Sequence, residues 1–169
     1  MNLTLRLTLF LSLFVGVLSA QEQYPKVITF TVNSNDDSTE SSYKTEHYLM
    51  INQHEAVDLG PFGNEDCEFD VIAHNGHKVV LTFNQPSQLS GKGRCASGTE
   101  RGFLSIEINE NNTIGKSQMF VIESCLLSLE ITEEKNDEKL KAYVVEDLNN
   151  SETHSILVNI DEALVFKKD

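Results

Sequence analysis

The sequence predicts an all-β sandwich of antiparallel strands. Short segments of alternating apolar and polar residues recur along the chain, turn-forming residues separate them, and no segment has the apolar period of an amphipathic helix. The chain has 169 residues and no internal repeat, which is the length of one domain once a leader is set aside. We therefore expect a single β-domain with a hydrophobic core of its own.

The first 20 residues have the pattern of a secretory signal peptide. Arg6 precedes an almost uninterrupted apolar run over residues 7–18, and the small residues Ser19 and Ala20 close it. The run is shorter than the roughly 20 residues that span a bilayer, and polar residues follow at once. We expect cleavage after Ala20, no membrane anchor, and a secreted, extracellular chain.

The first strand is predicted at residues 26–32, where β-branched and aromatic residues alternate with polar ones. Residues 33–42 contain no apolar side chain and indicate an exposed loop. Two short strands are predicted at residues 47–51 and 56–59. The Gly-Pro-Phe-Gly sequence at 60–63 predicts a turn after them.

A hairpin is predicted over residues 67–83, with its turn at residues 74–76. Asn75-Gly76 separates two alternating segments, and this pair is the strongest short-range signal for a hairpin. The apolar residues of each segment fall on one face of its strand and would be buried together. They are Phe69, Val71 and Ala73 in the first strand and Val79, Leu81 and Phe83 in the second.

The remaining segments complete the series of strands. Loops or turns are predicted at residues 91–94, 97–99 and 109–112, and a charged turn at 133–138. Strands are predicted at residues 103–108, 118–122, 126–131 and 140–145. Residues 156–160 and 163–166 would form a last strand or a short helix.

The chain is acidic, with 13 Lys+Arg, 26 Asp+Glu and a formal net charge of −13, which becomes −14 when Arg6 leaves with the leader. Such a surface repels phosphate backbones and anionic lipid headgroups. We therefore expect neither nucleic acid nor a membrane surface as a partner. A basic protein, a cation or an uncharged surface fits better, although acidic excess alone also serves solubility.

Three cysteines, Cys67, Cys95 and Cys125, would enter an oxidising compartment, where paired thiols persist as disulfides. They allow three single-bridge pairings and leave one thiol, which is either buried and inert or available for a disulfide-linked dimer. A bridge that closes a loop of about 30 residues would stabilise the domain by about 3 kcal/mol.

No catalytic, metal or cofactor motif is present. His74 and His77 flank Gly76 and could in principle hold a cation together with Asp70, but the preferred explanation is that both are exposed turn residues. The chain has no Gly-x-Ser-x-Gly motif, and residues 133–138 lack the glycine and oxygen spacing of an EF-hand loop. We expect no enzyme activity, no metal site and no cofactor.

Two Asn-x-Ser/Thr sequons lie in predicted turns of the exported chain. They are Asn111-Asn112-Thr113 and Asn149-Asn150-Ser151. Asn111 and Asn149 are therefore candidate glycosylation sites.

Residues 67–108 resemble the signature of CUB domains. Cys67 is followed two residues later by an aromatic residue, Phe69, and then by a hydrophobic strand, the glycine turn at Gly76 and a strand ending in Leu81-Thr82-Phe83. The next cysteine and the strand after it, at 102–106, are similar to those of the family. Residues 127–145 are similar to its closing part. The resemblance covers residues 50–147 and implies a CUB-like β-sandwich of jelly-roll type.

The resemblance also bears on the cysteines and on calcium. CUB domains usually carry four cysteines paired in sequence order, and the first is missing here. The resemblance favours a Cys95–Cys125 disulfide, with Cys67–Cys95 as the alternative pairing. The family's calcium-binding aspartate would fall at Gly98, so calcium binding is not implied.

The predicted organisation has four parts. Residues 1–20 are the signal peptide, residues 21–49 an N-terminal strand and polar loop, and residues 50–147 the CUB-like domain. Residues 148–169 form a C-terminal segment that packs on the same domain.

These features predict a secreted, non-enzymatic protein that binds an extracellular protein or glycan through loops at the ends of the sandwich. Short secreted chains with one divergent CUB domain resemble venom and saliva components of insects. One alternative is a small-ligand carrier with a lipocalin-like barrel, against which the absence of Trp counts. Another is an inhibitor or partner of a secreted protease, because similar domains precede secreted trypsin-like proteases in the same animals.

Overall fold

The computed structural model describes residues 23–34, 42–87, 95 and 98–168. The leader predicted at 1–20 lies outside the described residues, as do most of the loop predicted at 33–42, all of the loop at 91–94, and residue 97. Apart from one turn of 3-10 helix, Gly60–Phe62, the regular structure described consists of β-strands in two antiparallel sheets. The predicted all-β sandwich is confirmed at this level.

The strands follow the order of the chain in both sheets. The three-stranded sheet contains β1 (Lys26–Ser34), β2 (Ser42–Met50) and β3 (Ala56–Asp58). The eight-stranded sheet contains β4 (Glu68–Asn75), β5 (Lys78–Pro86), β6 (Thr99–Ile108), β7 (Ile114–Ser124), β8 (Leu129–Asn136), β9 (Leu140–Asp147), β10 (Glu152–Asn159) and β11 (Leu164–Lys168).

The eight-stranded sheet folds back on itself between β7 and β8. These two strands are in register at one position only, Ser124 opposite Leu129, and β11 lies close to β5 and β6. Strands β4–β7 therefore form a central layer. The three-stranded sheet covers one face of this layer, and β8–β11 cover the other.

The central layer separates two hydrophobic cores. In β5, Val79 and Leu81 belong to the first core, which is shared with the three-stranded sheet, whereas Val80 belongs to the second core, which is shared with β8–β11. In β6, Phe103 lies in the second core and Leu104 in the first. Runs of adjacent apolar residues in these two strands reflect burial on both faces of the layer.

A β-bulge in β4 changes which residues share a face. Val71 lies opposite Leu81 and Ala73 lies opposite Val80, so Ile72 is an extra residue in β4. Because one extra residue reverses the alternation, Ala73 points into the second core while Phe69 lies in the first. The hairpin prediction was right, but the prediction that Ala73 shares a face with Phe69 was wrong.

The turns also differ in detail from the predictions. The hairpin loop is Gly76-His77, with Gly76 at a φ of +57°, one residue later than predicted. Residues 133–136 belong to β8, so the charged turn begins only at Asp137. Its carboxylate accepts hydrogen bonds from the backbone N–H groups of Lys139 and Leu140, at 2.8 and 2.6 Å, and these bonds lower the pKa of Asp137.

The two C-terminal segments are both strands, β10 and β11, and contribute Ile156, Val158 and Val165 to the second core. At the other end of the chain, Leu49 of β2 is fully buried in the first core.

The connectivity is that of a meander. Each hydrogen-bonded neighbour within a sheet is also the neighbour in the chain, and most of the connections are short turns. A jelly roll instead contains Greek keys, which need longer connections that pass over other strands. The described strands therefore do not have jelly-roll connectivity. Strands β4 and β11 remain edges, so the closed lipocalin-like barrel is not formed either.

Candidate functional site

The connections of the eight-stranded sheet divide between two ends of the sandwich. At one end, which we call the disulfide end, lie the β5–β6 connection, the turn at 125–128 and the turn at 148–151. At the opposite end lie the turns at 76–77, 109–113, 137–139 and 160–163. A Lys139–Asp161 ion pair of 3.0 Å joins two of the turns at the opposite end.

Cys95 and Cys125 form the disulfide, with their Cα atoms 5.6 Å apart. This is the pairing favoured by the resemblance, and the alternative Cys67–Cys95 bridge is not formed. Gly98 packs directly against the bridge. A Cβ atom at this position would lie 2.5 Å from the Cβ of Cys125, so the site has no space for a larger side chain.

A buried carboxylate anchors the 125–128 turn. Glu100 is 8% exposed and its Oε1 accepts hydrogen bonds from the Ser87 hydroxyl, at 2.5 Å, and from the backbone N–H of Leu126, at 3.3 Å. The hydroxyl of Ser124 accepts a further hydrogen bond from the N–H of Leu127, at 2.8 Å. Together with the disulfide, these bonds hold the turn in one conformation.

Three leucines project from the disulfide end. Leu126 and Leu127 on one turn and Leu148 on the next are 45%, 56% and 53% exposed. The two turns are joined, since the N–H of Leu148 donates to the carbonyl of Ser128 at 2.9 Å and the Asn149 amide donates to the carbonyl of Leu127 at 3.3 Å. We call these three side chains the leucine surface. Exposed apolar side chains on two joined turns make this end of the sandwich a candidate interaction site.

No family model, curated protein or solved structure matches this chain.

Sequence analysis missed the leucine surface because it assigned residues 126–131 to a strand. The strand begins only at Leu129, and Leu126 and Leu127 lie in the turn before it. The sequence did contain two turn signals: Ser128, which ends the apolar pair, and Asn149-Asn150, which follows Leu148. In the structure Ser128 has a φ of +57°.

A polar cleft of about 530 Å³ lies beside the leucine surface. Glu123 and Glu130 lie on its wall, together with Ser128 and Asn149. Arg101 lies 3.6 Å from Glu123 in a half-exposed ion pair. The cleft therefore offers acidic groups at the rim of an apolar surface.

Cys67 is the free cysteine among the described residues and is 1% exposed in the first core. Burial raises the pKa of its thiol to about 11, although a hydrogen bond with the backbone of Asn84 opposes this effect. The thiol is therefore protonated and unreactive at neutral pH. A dimer linked through Cys67 would require the first core to open.

The histidines singled out by sequence are separated in the structure. His74 lies in β4 and His77 in the following turn, both exposed, and a β-bulge separates Asp70 from His74. Among the described residues, no group of three or more His, Cys, Asp or Glu side chains is arranged to hold a metal ion. No described helix has the length and apolar character needed to cross a membrane.

His47 is 5% exposed and joins three segments of the chain. Its Nδ1 lies 3.1 Å from the Thr29 hydroxyl, and its Nε2 lies 3.3 Å from the carbonyl oxygen of Glu65. The ring also makes an edge-on contact with Phe69, with 5.6 Å between ring centres. These partners explain the burial of His47 as structural.

The shallow cleft on the outer side of His47 contains a hydrogen-bonded tyrosine and glutamate. The hydroxyl of Tyr48 donates to Glu46 at 2.9 Å, and this bond raises the pKa of Tyr48.

A smaller cavity of about 300 Å³ opens between the central layer and β9. Phe103 and Ile122 form its apolar wall, and Arg101, Lys141 and Tyr143 contribute polar groups. Burial raises the pKa of Tyr143, whose hydroxyl donates to Asn136 at 3.4 Å. The volume is at the lower limit for small-molecule sites.

The two predicted glycosylation sites lie at opposite ends of the sandwich. Asn111 is exposed on the 109–113 turn, where its Oδ1 accepts a hydrogen bond from the Thr113 hydroxyl at 2.7 Å. Asn149 is exposed on the 148–151 turn beside the leucine surface.

Proposed function

We propose that this protein is a secreted, non-enzymatic binding protein that contacts an extracellular protein through the leucine surface. The observation that carries the proposal is the projection of Leu126, Leu127 and Leu148 from two joined turns. The leader pattern at residues 1–20 and the disulfide, which is typical of an oxidising compartment, support secretion. The CUB resemblance of residues 67–108 suggests a venom or saliva component.

Burial of the three leucines alone does not supply enough free energy for a stable complex, so the partner must also make polar contacts. Covering the exposed part of three leucines would contribute roughly 2–4 kcal/mol. A micromolar complex needs about 8 kcal/mol, so further contacts are required around the leucines. Glu130 in the adjacent cleft is suited to a basic group on the rim of the partner, whereas Glu123 is already paired with Arg101.

The rigid support of the leucines adds to their value for binding. The disulfide, the Glu100 carboxylate and the Ser124 hydroxyl already order the turn before any partner arrives. Association then costs less conformational entropy than it would for a mobile loop.

The decisive experiment compares the Leu127→Ser/Leu148→Ser double variant with Leu140→Ser. Leu140 is 40% exposed at the opposite end of the sandwich and is the matched control. The partner would first be isolated from native secretion by cross-linking and mass spectrometry, and its affinity for each purified variant would then be measured. We expect the double variant to bind at least tenfold more weakly and the control to bind like the unmodified chain.

Equal affinity of the double variant would contradict the role of the leucine surface. The non-enzymatic assignment would fail if the purified protein hydrolysed peptides, esters or glycans and lost this activity on a point mutation. Inhibition of a protease from the same secretion would identify the class of the partner.

A small-ligand carrier is a second candidate, based on the cavity beside Phe103 and Tyr143. A bound organic molecule would then survive mild purification and appear in native mass spectra.

A further inference from the structure

Strand β7 presents an unpaired edge over most of its length. One side of β7 pairs with β6 between Glu100 and Ile108. On the other side, the pairing with a described strand is limited to Ser124 opposite Leu129. Alternate backbone N–H and C=O groups between Lys116 and Val121, the stretch between two β-bulges, therefore point outward without a strand partner among the described residues.

Strand β8 does not cover this edge. A β-bulge follows Ile131, and all residues from Thr132 to Asn136 are exposed. The side chains of residues 116–119 on β7 are likewise exposed, and Met119 is 40% exposed. The space along Gln118–Val121 is a cleft of about 380 Å³, and its other wall includes Leu129, Glu152 and Lys167.

Between its β-bulges at Gly115 and Ile122, the edge of β7 carries fewer charged residues than β8 and β11 of the same sheet. Long free edges invite pairing with another chain, and proteins usually block them with charges, prolines or short strands. Strand β11 has five residues and ends in two lysines, and β8 carries Glu130, Glu133, Glu134 and Lys135. Between residues 114 and 122 of β7 the one charged residue is Lys116, and no proline is present.

We infer that β7 is a docking edge for an extended, basic segment of a partner polypeptide. An added strand is the occupant whose chemistry satisfies alternating backbone donors and acceptors. On the side facing β8 it would meet the half-buried Leu129 and Ile131, and then the acidic side chains of that strand. Apolar residues alternating with Lys or Arg fit this surface.

Charge favours such a segment over a second copy of this chain. The protein carries a net charge of −13, so two copies repel each other, whereas a basic segment is attracted. This inference goes beyond the proposed function, because the leucine surface lies on the turns and not along β7.

The test uses a fluorescein-labelled peptide of alternating Lys and Val, eight residues long, and the secreted chain. Fluorescence anisotropy at physiological ionic strength measures binding. Hydrogen exchange with mass spectrometry then locates any protection. We expect binding, slower exchange in residues 114–123, and little or no binding of the same peptide with its two central Val residues replaced by Pro.

Two proline variants of the protein probe the backbone directly. Ser117 and Gln118 are adjacent, so the N–H of one faces β6 and the N–H of the other faces outward. Proline at the position whose N–H bonds to β6 should lower the denaturant midpoint of unfolding. The other of the two variants, Ser117→Pro or Gln118→Pro, should keep the midpoint of the unmodified chain, and it is the one that has lost an outward N–H. We expect it to bind the Lys/Val peptide roughly fivefold to tenfold more weakly, while alanine at the same position leaves the affinity unchanged.

Several results would overturn the inference. These are an absence of binding, equal binding of the proline-containing peptide, protection outside β7, or dimerisation of the chain through β7. The hydrogen-exchange result on the unmodified chain stands even if both proline variants misfold. The Leu127→Ser/Leu148→Ser variant should bind the Lys/Val peptide normally, which separates this edge from the leucine surface.

Discussion

At the scale of single residues, burial decides chemistry that composition leaves open. Cys67, Cys95 and Cys125 are equivalent thiols in the sequence. In the fold, Cys95 and Cys125 meet where two connections converge, whereas Cys67 lies among the side chains of the first core. One residue type therefore supplies both a covalent tie and an inert core contact.

The raised pKa of Cys67 predicts a loss of stability in alkaline solution. The unfolded thiol loses its proton near pH 9 and the folded thiol only near pH 11. The contribution of the buried, protonated thiol to the free energy of unfolding is therefore complete below pH 9 and is lost as pH rises from 9 to 11. Denaturant unfolding of the unmodified chain should show this decline, and the Cys67→Ala variant should show less of it.

The same burial predicts slow alkylation. Iodoacetamide should modify Cys67 slowly in the native protein and rapidly in denaturant, as measured by the mass increase. Rapid modification of the native protein would contradict the burial of the thiol in the first core.

At the scale of elements, close packing within the central layer sets the requirements on sequence. Gly102 lies in β6 next to a β-bulge opposite β7. A Cβ atom at this position would overlap the carbonyl oxygen of Phe120 and would lie 2.7 Å from Cε1 of Phe83. The backbone of Phe120 cannot move without disturbing the pairing of β6 with β7, so only glycine fits.

Gly102→Ala should therefore destabilise the protein by roughly 1–3 kcal/mol, the usual range for overpacking a core. Gly115→Ala is the matched control on β7. An added Cβ there meets the side chain of Asn109, which is exposed and can rotate away. Denaturant midpoints measure both effects, and equal losses in the two variants would contradict the packing argument.

Alternation predicted most strands of the central layer and the hairpin at Asn75-Gly76. It could not reveal the bulge at Ile72, because a bulge is defined by the partner strand: Val71 and Ala73 face consecutive residues of β5. The charged residues 133–136 resembled a turn in sequence. They form a strand because β9 supplies the backbone partners along that stretch.

At the scale of the whole molecule, the sandwich places its chemically distinct surfaces apart. The leucine surface and the disulfide lie at one end, and Asn111 lies at the other. The acidic charge is spread over strands and turns, and it favours basic partners without selecting one of them.

This separation predicts how glycans relate to binding. A glycan on Asn149 would screen the leucine surface, whereas one on Asn111 would not. If the proposed secretion and contact are right, glycopeptide mass spectrometry of binding-competent protein should find glycan at Asn111 and none at Asn149. Asn111→Gln should remove the glycan without changing affinity for the partner, and an occupied Asn149 in material that binds would contradict the proposed contact.

The sequence by itself determined the β-class of the protein, the hairpin and the positions of most strands, because alternation and turn propensity are local properties. Its resemblance to CUB domains also indicated the correct disulfide. Only the tertiary structure decided the meander order, the two cores and the face on which Ala73 lies. It also decided which leucines remain exposed and which edge of the sheet stays open. These features depend on contacts between residues far apart in the chain, and hydrophobic burial is optimised over the whole sandwich and not strand by strand.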